Sequence, residues 1–162
     1  MSTQSSDQAE ARADLTVDGV RLTVSVRVDR LPVVLGEPFR AVWTVTSGGS
    51  AAFVGLGADR ITGRILGLSF RATVPGAEVE LADPTPEAGS LGGPGTVHDL
   101  GAGDLTLPVL VDDYLDLGPL SQSQSEMLNL TCRWDLQVGL DEFGVLGAAP
   151  TPISLSMELP LR

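Results

Sequence analysis

Residues 20–28 read VRLTVSVRV. Val20, Leu22, Val24, Val26 and Val28 take every second position, and Arg21, Thr23, Ser25 and Arg27 fill the places between them. Successive side chains of a strand point to opposite faces, so this spacing gathers the aliphatic groups on one side. At the roughly 100° steps of a helix the same residues would scatter around the axis, which excludes a helix. Three further features agree: the valines are β-branched, the segment is short, and one face is polar throughout. A strand that is wet on one face only belongs to an antiparallel sheet.

The same period recurs along the chain. Phe39, Ala41, Trp43 and Val45 share one face of the segment FRAVWTV, ended by the turn SGGS. Residues 128–138, LNLTCRWDLQV, place Leu128, Leu130, Cys132, Trp134, Leu136 and Val138 together, and residues 153–159 repeat the pattern with Ile153, Leu155, Met157 and Leu159. Shorter pieces read as strands in AAFVGL, LSFRATV, AEVEL and DLTLPVLV, the last holding Pro108 and so suggesting an edge or a bulge. Residues 59–67, DRITGRILG, suit a short helical turn or a bent strand. Residues 82–103 are rich in Gly and Pro and read as an irregular loop. No capped amphipathic helix is apparent. Residues 1–14 are polar and read as a flexible tail, leaving 15–162 as one domain. The fold expected is all-β: a single antiparallel β-sandwich of about seven to nine strands.

The chain has 162 residues, enough for one domain with a full hydrophobic core and no need of disulfides or metals. Aromatics are only 4%, so Leu, Val and Ala must build that core. The net charge of −11 repels phosphate backbones and anionic bilayers, which argues against nucleic-acid binding. All ten basic residues are Arg, as a GC-rich genome would favour. One cysteine forms no internal disulfide, the start shows no signal-peptide pattern, and no run approaches the length of a membrane helix. A cytoplasmic protein is expected.

Two stretches, RLTVSVRVDRLPVVLGEPFRAVWTVTSGGSAAFVGL and LTLPVLVDDYLDLGPL with LNLTCRWDLQV, resemble the two halves of bacterial immunoglobulin-like modules. In those modules a strand, a Gly-Glu-Pro turn, an aromatic-bearing strand and a later YLDL corner follow in that order. The bacterial intracellular proteinase inhibitors have this general shape. Here SQSQSEM replaces the Pro-Gly-Thr-Tyr type of turn usual in the family. The resemblance covers less than half of the chain and rests on turns and core positions. It implies an immunoglobulin-like fold and a protein-binding role.

Little in the chain suggests catalysis. His98 is the single histidine and lies in the Gly/Pro-rich loop; a triad needs a partnered imidazole and a zinc site several His or Cys ligands. Cys132 falls in register with the inward residues and reads as an inert core thiol. Trp43 and Trp134 fall on inward faces and read as core. Asp112, Asp113 and Asp116 surround Tyr114, and sandwich loops elsewhere hold calcium through carboxylates, but the spacing matches no EF-hand. No metal or cofactor is therefore expected.

The segment 139–152, GLDEFGVLGAAPTP, is different, because it puts Phe143, Val145 and Leu146 in a connection between strands. These residues either lid the end of the sandwich or form a patch that another protein covers. The expectation is a non-enzymatic protein-binding module, a subunit or accessory part of an assembly such as a virion or secretion apparatus, or a homo-oligomer. Its contact residues would be Asp141, Glu142, Phe143, Val145 and Leu146, with Asp112, Asp113 and Tyr114 as a second site. A proteinase inhibitor, a calcium- or carbohydrate-binding module and a hydrolase using paired acids are the alternatives.

Overall fold

The computed structural model describes residues 2–4, 7–34, 37–48, 52–56, 65, 67–81, 85–86, 96–111 and 126–162. Their strands are β1 (Ser2–Gln4), β2 (Gln8–Val17), β3 (Val20–Asp29), β4 (Phe39–Ser47), β5 (Phe53–Leu56), β6 (Ser69–Val74), β7 (Ala77–Leu81), β8 (Thr85–Pro86), β9 (Val97–Asp99), β10 (Leu105–Val111), β11 (Met127–Gly139) and β12 (Thr151–Pro160). A short helix, α1 (Glu142–Gly147), separates the last two.

The strands form two antiparallel sheets. One runs β1-β2-β3-β4-β10-β8. The other is built on β11, which pairs with β12 along one edge and with β6 and then β5 along the other; β7 and β9 lie outside these. The inner faces carry the alternating residues read from the sequence. Val20, Leu22, Val24, Val26 and Val28 are all buried, as are Leu128, Leu130, Cys132, Trp134, Leu136 and Val138. Trp43 from one sheet and Trp134 from the other meet edge to face, with ring centroids 5.5 Å apart and planes at 65°. Both are completely buried.

The sheet begins earlier than residue 15. Gln8–Val17 is a strand paired with β3 over its full length, so residues 8–14 belong to the sheet and not to a tail. Ala9, Ala11 and Ala13 alternate there with Glu10, Arg12 and Asp14, and the first two are buried. Alanine signals burial weakly and favours strands little, which hid the period. β12 packs against β2, and small side chains suit a close approach. The turn into β3 is Asp18-Gly19, with Val17 opposite Val20 and positive φ at both turn residues, 49° and 82°. Two left-handed residues in a two-residue loop match the right-handed twist of the flanking strands, and Gly19 adopts that conformation at no steric cost.

The pairing also shows why prolines sit inside these strands. Gly48 donates its N–H to Arg21 O, so even-numbered residues of β4 bond to β3 and odd-numbered ones to β10. Leu105, Leu107 and Val109 then face β4, and Pro108 turns its ring nitrogen the other way, toward the β8 side. Pro108 thus costs no bond to β4. Yet β10 lies between β4 and β8 with an unbroken register to β4, so it is neither the edge strand nor the bulge expected from the sequence; the Pro108 nitrogen faces the side that the two-residue β8 covers. Leu161 N–H donates to Glu126 O, and the constant β11–β12 register likewise aims the nitrogens of Pro152 and Pro160 away from β11.

Candidate functional site

The connection from β11 to β12 is a helix, not a loop. Asp141 is its N-cap: extended backbone (φ −151°, ψ 174°) aims the carboxylate back, and Gly144 N–H donates to Oδ1 at 2.6 Å. This satisfies one of the donors that a first turn leaves open. Glu142 in that turn faces the positive end of the peptide dipoles. Val145 N–H closes the α-helical bond to Asp141 O at 3.1 Å, and Ala148 N–H tightens the end on Val145 O at 3.1 Å. Pro150 follows, and proline does not continue a helix.

Six residues do not hold a helix in water, so packing must fix α1. Val145 supplies it, being 1% exposed. It rests on the outer face of the second sheet, where Gly55 and Gly139 carry no side chains. A Cβ on Gly55 would come 2.5 Å from Val145 Cγ1, and one on Gly139 would come 2.5 Å from Val145 N and 2.7 Å from Gly144 C. Gln137, paired with Gly55, adds a bond from Nε2 to Ala148 O at 3.1 Å. The two glycines make the seat, and one valine fills it.

The seating turns the other apolar groups outward. Phe143 is 83% exposed and Leu146 67%, one helical turn apart on the same side, with Leu140 just before the cap at 64%. Asp141 and Glu142 are exposed beside them. The sequence grouped Phe143, Val145 and Leu146 as one patch; the structure divides them into an anchor and a free face. Leu140, Gly55 and Gly139 were missed as parts of it. The pattern of Asp, an acid in the first turn and Gly-Ala-Ala-Pro after the last is the signal that finds the helix.

The other candidates lie elsewhere. Asp112, Asp113 and Tyr114 fall outside the described residues. His98 lies in β9, opposite Val54, half-buried and not a free loop residue; its Nε2 stands 3.2 Å from Gly103 O. Cys132 is buried, and desolvation pushes its thiol pKa far above the ordinary range. Among the described residues no group of three or more His, Cys, Asp or Glu is placed to hold a metal ion. A cleft of about 590 Å³ beside the start of β4 is lined in part by Asp29, Arg30, Glu37, Phe39 and Arg40. Its acids and arginines alternate and single out no ligand charge. No helix of the described residues is long and apolar enough to cross a membrane. No family model, no curated protein and no solved structure matches this chain.

Proposed function

We propose that this protein is a non-catalytic, protein-binding β-sandwich of immunoglobulin-like type, a cytoplasmic subunit or accessory module of a larger assembly, and that α1 is its contact. One observation carries the reading. A six-residue helix seated by a single valine presents Phe143 and Leu146 to solvent at 83% and 67% exposure. Singly exposed apolar residues are ordinary, but a phenylalanine with a leucine beside it on one built platform makes a contiguous apolar spot, and aromatic residues are enriched at the centres of interfaces. The chemistry of Cys132 and His98 also fits binding better than turnover, since burial suppresses the thiolate and a carbonyl occupies the imidazole's neighbourhood.

The test compares wild type with the Phe143→Asp, Leu146→Asp double variant in affinity capture from the source cells, with stoichiometry measured by light scattering. Both positions are exposed, so thermal unfolding should shift by no more than the equivalent of about 0.5 kcal/mol per site. The expected result is a discrete complex with wild type and none with the variant. Identical recoveries from both would refute the assignment. A protease panel addresses the inhibitor alternative: protection of substrate that is lost in the same variant would move the reading there.

A further inference from the structure

We infer that α1 inserts into an apolar hollow rimmed by Lys and Arg on a different protein, and does not bind a second copy of this chain. This rests on the reading of α1 as the contact surface and adds the chemistry of what covers it. Shape is the first argument. The helix stands on the outer face of a sheet, and the apolar groups it exposes are few: Phe143, Leu146 and Leu140. Against a flat surface they would bury on the order of a few hundred Å², short of the roughly 800 Å² per partner in a stable interface. A projecting knob gains enough contact only where the partner is concave and closes around it.

Charge is the second argument. Between Arg133 and Arg162 the chain carries Asp135, Asp141, Glu142 and Glu158 and no basic residue. Asp141 and Glu142 are exposed directly beside Phe143, and the last turn of α1 holds no cation. A symmetric contact through this face would press those acids against their own copies while two bodies of −11 approached each other. Basic groups at the rim of the hollow remove that conflict and steer the encounter.

The experiment places a benzophenone amino acid at position 143, irradiates in extract of the source cells and sequences the adducts. The expected adduct lies on another protein, within apolar side chains that have Lys or Arg as near neighbours. Association of that purified partner with the wild-type chain should slow about tenfold or more between 50 and 500 mM salt. Glu142→Lys at low salt should slow it severalfold, and Glu142→Gln less, both with unfolding temperatures near wild type. Adducts to a second copy of this chain, adducts on a neutral or acidic surface, no adduct, or salt-independent association would each overturn the inference. If the Phe143→Asp, Leu146→Asp variant loses capture while the adduct maps to neutral surroundings, α1 remains the contact and only the basic hollow falls.

Discussion

Desolvation holds the Cys132 thiol protonated, because a thiolate beside Leu130, Trp134 and their neighbours would have no water. The unfolded chain has no such constraint and releases that proton above about pH 8.5. Protons are therefore lost on unfolding at alkaline pH. The stability is full below that pH and declines above it, by about 1.4 kcal/mol per unit while the folded thiol stays neutral. The absence of lysine keeps the window nearly free of other titrations. Urea unfolding at pH 7 and pH 10 should show wild type weaker by about 2 kcal/mol at the higher pH, and Cys132→Val nearly flat. Equal losses in both proteins would show that another group governs the alkaline limb. This residue was legible in sequence because a long alternating strand fixes its side of the sheet. His98 was not, since a three-residue strand carries no readable period.

At the scale of elements, α1 depends on what its seat lacks. Gly139→Ala drives a methyl group into the helix backbone at Val145 and Gly144, neither of which has a flexible end to yield. The expected cost is about 1–3 kcal/mol in thermal or urea unfolding, with partner capture reduced as α1 tilts or detaches. Phe143→Asp should show the reverse separation, losing capture at unchanged stability. If Gly139→Ala leaves both properties intact, α1 is not seated as described. The candidate site was legible only in part: apolar residues in a connection stand out, but an aperiodic reading cannot divide them. Once Asp141 is recognised as a cap, positions 143 and 146 fall to one side and 145 to another. The β2–β3 hairpin shows the same limit, because an Asp-Gly turn is a strong signal that the alanine-rich start of β2 obscured.

Across the whole molecule, alternation reveals which face of a strand is dry but not which strands are neighbours. Two antiparallel sheets and their core residues were thus readable, whereas the order β1-β2-β3-β4-β10-β8 and the division of β11 between β6 and β5 were not. Those depend on long-range pairing that no local pattern encodes. The two sheets meet at Trp43 and Trp134, whose indole N–H groups find no acceptor among the described residues. An unpaired buried donor costs about 1–3 kcal/mol, partly recovered when an N–H faces a π cloud. Trp134→Ala should therefore lose about 3–5 kcal/mol through the cavity it leaves, while Trp43→Phe, which removes a donor as well as volume, should lose less than half as much. A Trp43→Phe loss as large as that of Trp134→Ala in chemical denaturation would mean that the Trp43 N–H is satisfied in solution.

The same ring pair has an optical consequence. Indole transition dipoles at this separation and tilt couple as excitons, so the circular dichroism should carry a paired positive and negative band that neither chromophore shows alone. One ring rides on each sheet, and the couplet therefore gauges the registry of the two layers independently of how much strand persists. In a partly denatured sample it should fade as the layers slide apart, before the amide signal does.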